Sequence, residues 1–254
     1  MTARANRRAP QFNGDILGRR LSCFVKMSAE DRDAVHKLCN GPVKRVEAKA
    51  DIARQGETSP VTGLLQNGWA CRYMTLTDGR RQIIGFLVPG DLYNFEMPGI
   101  RLDHSIGAIT DCDFVPLADP VKGSLREHPK VGRAMAIHRH VTNAIMRHWV
   151  LNLGQRNALE RIGHVFCELL VRLRCVGLAR DDMFQFPVTQ LELAEATGLT
   201  AVHVNRTLQD MRARGLVTIQ SRELRILDFN RLADLVMFDG AHLHPTLGEC
   251  TYHG

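Results

Sequence analysis

Between Val46 and Leu117, short apolar runs alternate with turn signals, as at Leu64-Leu65-Gln66-Asn67-Gly68, Thr77-Asp78-Gly79-Arg80 and Val88-Pro89-Gly90-Asp91. This spacing predicts an all-β roll or barrel, with Ile83, Ile84, Phe86 and Leu87 supplying strand positions in its core. Asp78-Gly79 predicts a hairpin, because such a turn needs positive φ, which Gly adopts freely and Asp tolerates. From Pro129 to about Asn152 the period becomes helical: Ala134, Ile137, Val141, Ala144, His148 and Leu151 are separated by alternating steps of three and four. The row predicts a dimerisation seam, the alternative being the buried face of one intramolecular core helix. A second stripe, Met135, Ile145 and Trp149, is expected to pack on the roll.

Gly154-Gln155-Arg156-Asn157 interrupts the helical pattern. A further helix is predicted over residues 158–176, with Ile162, Val165, Phe166, Leu169, Leu170 and Leu173 on its apolar face. Gly177 and Asp181-Asp182 mark a loop, and Phe184 to Pro187 a short extended segment. The expected boundaries are an N-terminal extension 1–27, a roll with flanking helices 28–127, a dimerisation helix and hinge 128–156, a head 157–232 and a tail 233–254.

The head carries the most informative stretch, Thr189 to Met211, which predicts a helix-turn-helix. Thr189 and Glu192 form a capping box that opens the first helix, Ala194 is small where two helices approach closely, and Gly198 supplies a left-handed turn. Thr200 caps the second helix. Val204 and Leu208 face inward against Leu191, Leu193 and Leu199, leaving Ala201, Val202, His203, Asn205 and Arg206 outward. In the standard docking these side chains reach base edges in the major groove of double-stranded DNA: Arg206 suits guanine O6 and N7, and Val202 a thymine methyl. Thr189 and Gln190 join the expected DNA contacts. Two short β runs around Ser221-Arg222-Glu223 then predict a wing, and Arg212, Arg214, Arg222 and Arg225 in or near it are expected to meet phosphates.

Composition changes this picture little. The 254 residues are 44% hydrophobic and 24% charged, ordinary for a chain of one or two globular domains, and the net charge of +6 suits contact with a polyanion. No run approaches the roughly 18 apolar residues of a membrane span, and the basic start has no apolar stretch behind it, so a cytoplasmic protein is expected. The seven cysteines are scattered and form no C-x-x-C pair, against both a disulfide framework and a zinc site. Cys167 is expected to be a buried thiol. The tail donors His242, His244, Cys250 and His253 match no standard metal spacing, and the tail is expected to be flexible or docked.

In order and motif the chain resembles the Crp/Fnr superfamily of bacterial transcription regulators, over roughly Val46 to Leu232. The carriers are Asp78 to Asp91 in the roll and Leu191 to Leu216 in the head. The resemblance implies an α+β fold: a cyclic-nucleotide-binding-like β-roll, a long dimerisation helix and a C-terminal winged helix-turn-helix. It also implies a homodimer on a two-fold symmetric operator, with recognition helices in successive major grooves about 34–36 Å apart. RNA polymerase would be a partner if the protein activates, and an unidentified small molecule would be the effector. Arg206 occupies the position of the family's base-reading arginine, whereas Val202 stands where better-known members carry glutamate, so a different operator base is expected there.

Cyclic AMP is not expected as ligand. By alignment Leu102 and Asp103 replace the phosphate-holding Arg-Ser pair, and an added carboxylate repels the phosphate; Arg101, His104 and Ser105 supply an alternative anion site only if the register slips. An iron–sulfur centre is not expected, since Cys23 is the one thiol near the N-terminus. Haem is not expected either, although His104, His138, His140 and His148 are potential ligands. Nor does any catalytic motif appear. The rival reading is a ligand-binding module that regulates a protein partner through its helical head.

Overall fold

The computed structural model describes residues 15–58, 62–93, 101–117 and 127–243. Two short helices come first, α1 (Ile16–Ser22) and α2 (Ala29–Leu38), the latter opened by a reciprocal capping box between Ser28 and Asp31. Eight strands follow: β1 (Lys44–Val46), β2 (Asp51–Ala53), β3 (Gly63–Asn67), β4 (Ala70–Thr75), β5 (Arg81–Leu87), β6 (Leu92–Tyr93), β7 (Ser105–Ala108) and β8 (Cys112–Pro116). They form two antiparallel sheets, in the orders β1-β8-β3-β6 and β2-β7-β4-β5. Leu65, Leu87, Ile106 and Phe114 fill the space between them, so the turn-punctuated segment is indeed a roll. In the β4–β5 hairpin Gly79 alone takes positive φ (+87°); its N–H donates to the carbonyl of Leu76, a turn followed by a glycine bulge.

Helix α3 (Pro129–Gln155) starts with proline at its first position, where a missing N–H costs nothing, and ends where Arg156 and Asn157 turn extended. Helix α4 (Ala158–Cys175) then begins under a second capping box, Asn157 with Glu160. The head continues through β9 (Ala179–Arg180), β10 (Met183–Gln185), α5 (Gln190–Thr197), α6 (Ala201–Ala213), β11 (Val217–Gln220), β12 (Glu223–Ile226) and α7 (Phe229–Leu235), closing on a 3-10 turn, Gly240–Leu243. Among the described residues no helix is long and apolar enough to cross a membrane.

Three expectations need correction. The dimerisation seam is split: Ala134, Val141 and Ala144 are buried within this chain, Ile137 and His148 are half-buried, and only Leu151 is exposed (47%). The reason is that helical period reveals an apolar stripe but not its partner, and here the roll, α1, α2 and α4 take it. The outward row of α3 is instead Ala136, Asn143, Met146, Arg147 and Val150. The second correction is Leu191, expected to lie under α6; it is 62% exposed, and Leu193 and Ala194 fill that space. Part of the N-terminal segment set apart as an extension is core, since Ile16, Leu17 and Leu21 are buried in the cluster that includes Val131 and Ala134 of α3. That same cluster runs through Phe86 and Trp69 of the roll into Phe166 and Phe186 of the head, so roll and head share one continuous apolar core.

Candidate nucleic-acid interface and its connection to the roll

The local chemistry of the head builds its outward face. Thr189 Oγ1 accepts from the Glu192 N–H (3.2 Å) while Glu192 Oε2 accepts from the Thr189 N–H (2.7 Å), satisfying two otherwise orphaned donors at the start of α5. Gly198 takes φ +64° and stops the helix. Thr200 then caps α6 through the His203 N–H (3.2 Å), and Val204, Thr207, Leu208 and Met211 bury the inner face. These four residues, committed inward over about two turns, leave the opposite face to solvent. Val202 is 81% exposed and Arg206 is exposed beside it; Ala201, His203 and Asn205 are half-buried. Asn205 Nδ2 donates to Gln190 Oε1 (3.1 Å), so these two expected DNA contacts also tie α6 to α5.

β11 and β12 pair antiparallel through Ser221 and Arg222, both at positive φ, and β12 continues into β10 and β9. Arg222 sits on the wing tip, and Arg212 is exposed near the end of α6. Among the described residues Arg206, Arg212 and Arg222 make no ion pair, whereas Arg214 is held by Asp210 (2.9 Å). Three exposed guanidiniums thus keep their donors for a partner from outside, and a planar five-donor fork suits guanine edges and phosphates.

Behind the head lies a second cluster that the sequence reading did not single out. Arg172 of α4, buried, donates to Glu168 Oε1 (2.7 Å), to the carbonyl of Phe86 (2.9 Å) and to Asp91. Trp149 of α3 donates its indole N–H to Glu168 Oε2 (2.8 Å), and Arg20 of α1 reaches both the Arg172 carbonyl (2.9 Å) and Asp91 (3.3 Å). Burial alone would raise the Asp91 pKa, but Arg172 and Arg20 outweigh it and hold the carboxyl below its usual range. Burial pushes Glu168 up. The sequence signal was there: Glu168 and Arg172, four apart, interrupt an otherwise apolar helical face. Arg20, Arg72, Asp91, His138 and Val141 line a cleft between β5, α1, α3 and α4. Burial lowers the His138 pKa to about 4 against the opposing pull of Asp91, so this imidazole is neutral.

The remaining expected residues are dispersed. Arg101 bridges Thr58 at the roll's edge, His104 contacts Asp103 (2.6 Å), and the Ser105 hydroxyl accepts from the Gln55 N–H (3.0 Å), so the three do not converge on one anion. Leu102 is half-buried and Asp103 exposed. Cys167 is fully buried and burial raises its pKa. His140 is exposed. His148 of α3 stacks on His242 of the C-terminal turn (ring centroids 3.6 Å apart), with the buried His164 edge-on to both. The described part of the tail is therefore docked, also by Arg156 donating to the Val236 carbonyl (3.2 Å); His244, Cys250 and His253 lie outside the described residues.

Comparison with known proteins agrees with this geometry. Residues 160–235 match the family model of the Crp-like helix-turn-helix domain. The nitrogen fixation regulation protein FixK of Bradyrhizobium diazoefficiens is 33% identical over 169 residues, 64% of this chain and 68% of that protein. The transcriptional activator protein FnrL of Cereibacter sphaeroides is 26% identical, covering 74% of this chain and 77% of its own. The solved structure of FixK2 from Bradyrhizobium japonicum superposes with a TM-score of 0.65 over 76% of this chain and 96% of that one, at 23% identity, and so shares the fold. A roll, a long helix and a capped helix-turn-helix with a wing, together with these matches, make this chain a member of the Crp/Fnr family of DNA-binding transcription regulators.

Proposed function

We propose that the protein acts as a cytoplasmic homodimeric transcription activator on a two-fold symmetric operator, with Arg206 and Val202 of α6 reading bases. The observation that carries this reading is the exposed Arg206 guanidinium, unpaired among the described residues, beside the 81% exposed Val202 on a helix whose inner face is fully committed. Ala201, His203 and Asn205 flank them. Thr189, Gln190, Thr200, Arg212 and Arg222 meet the phosphate backbone, which supplies affinity and register rather than sequence preference. The named activators among the relatives support activation, and RNA polymerase is then the partner.

The dimer forms along the outward row of α3, through Ala136, Asn143, Met146, Arg147, Val150 and Leu151. Ala136, His140, Asn143, Arg147 and Val150, all exposed, follow one another in steps of four and three and present one stripe to a second copy, with Met146 and Leu151 beside it, and Val150 at 73% exposure leaves apolar surface that such a partner covers. Selection of bound sites from random duplex DNA by the purified protein, at two salt concentrations, tests the whole reading. A two-fold symmetric motif is the expected result; enrichment of no motif at either salt contradicts it.

A further inference from the structure

The head shares the apolar core of the roll, and α1 reaches the end of α4 where Cys23 Sγ donates to the Cys175 carbonyl (3.3 Å); three further sets of contacts hold the head. The first is the covalent link through Arg156 and Asn157, and the second is the buried network that ties α4 to Trp149, Phe86 and Asp91. The third lies away from both, where α5 rests on the start of β5. Arg81 Nη1 is 3.3 Å from Glu195 Oε2, and Gln82 Nε2 donates to the backbone carbonyl of the same Glu195 (2.5 Å). Arg81 is itself held: its guanidinium lies 4.0 Å over the Tyr73 ring, its Nη2 is 3.2 Å from Cys71 Sγ, and Tyr73 in turn donates to Asp51 (2.6 Å). Burial raises the Glu195 pKa, with Arg81 opposing.

Two anchors on one residue, one through its side chain and one through its backbone, fix a direction as well as a point. A contact set apart from the shared core adds resistance to rotation of the head against the roll. Yet none of these contacts covers the reading face, because Thr189, Gln190, Val202 and Arg206 all remain exposed. The contact therefore cannot act by masking DNA. What it can influence is the angle between the reading helix and α3.

We propose that Arg81, Gln82 and Glu195 form a clamp that sets operator half-site spacing without touching DNA. The proposal rests on the dimeric reading above. A single half-site lets one head turn freely and is indifferent to the clamp, whereas a two-fold operator demands that both heads present at one helical repeat.

The test compares the wild-type protein with Arg81→Ala, Glu195→Ala and the exchanged pair Arg81→Glu with Glu195→Arg. The probes are a duplex carrying one half-site, and the selected operator with its central spacer lengthened or shortened by one base pair. The single variants are expected to keep wild-type affinity for the half-site. On the best-spaced operator they lose about fivefold, the ratio that corresponds to one partly buried ion pair, and their preference among spacers flattens. The exchanged pair restores the preference. Single variants that fold as the wild type does and keep its spacer profile overturn the clamp alone. Equal losses on half-site and full operator also overturn it, since the residues would then act within one head. A wild-type protein that selects no two-fold site overturns the dimeric reading and the clamp with it.

Discussion

The recognition face and the buried network behind it both depend on arginine, and they use it in opposite ways. Arg206 stands in water beside Val202 with no acidic partner among the described residues, whereas Arg172 is buried between two carboxylates, Asp91 and the indole-bound Glu168, and a backbone carbonyl. An exposed, uncommitted guanidinium contributes little to folding and keeps its donors for another molecule. A buried one gives up its hydration and must be met inside the chain, so each of its partners becomes part of the fold. The first arrangement builds an interface. The second transmits position from roll to head.

The sharpest way to break this contrast is to remove one cation from each region. Arg172→Ala leaves Glu168 buried without a charge partner and Asp91 with Arg20 alone, and a loss of about 3–5 kcal/mol in urea unfolding is expected. Acid should act on the same interior. His138 and His164 are held neutral by burial, with pKa values lowered to about 4 and about 3. In the unfolded chain each titrates near 6.5, so below that pH the unfolded state binds more protons and stability falls steadily as pH drops toward the folded values. A denaturation midpoint that stays constant between pH 7 and pH 5 would contradict this.

Arg206→Ala is expected to reverse the pattern: unfolding changes by no more than about 0.5 kcal/mol, while operator binding weakens by about 1–3 kcal/mol and preference relaxes at a single base pair. Gly198→Ala probes the joint between the two helices. Its φ of +64° is strained for any side chain, whereas the added Cβ would meet only ordinary contacts with Leu153 and Arg161 at 3.4 and 3.6 Å. A thermal-unfolding loss of about 1 kcal/mol is expected, with base preference unchanged. The smallest effect belongs to the wing: Arg222→Ala should lower affinity alike for all sequences and reduce the slope of log K against log salt by about 1.

Local sequence made the head legible almost residue by residue. Thr189 with Glu192, Gly198, Thr200 and the inward Val204 and Leu208 each act within one turn of their own position, so their roles follow from spacing and the chemistry of helix ends. The turn signals of the roll belong to the same class; Gly79 closes its hairpin with neighbours three residues away. Leu191 shows where such reasoning stops, because a short helix can bury Leu193 and Ala194 instead with no change in period.

Long-range partners lay beyond that reach. The stripe Ala134, Val141 and Ala144 has the spacing of a dimer seam, yet packing of the roll and α4 decides that it faces inward and leaves Val150 and Leu151 outside. Arg20, Asp91, Glu168 and Arg172 meet across as many as 152 positions of chain. Arg81 finds Glu195 across 114. Periodicity determines which residues share a face, because that depends on backbone geometry alone. Which surface covers the face, and which charge meets which, depends on how distant segments fold together, and only the tertiary structure of this protein decided it.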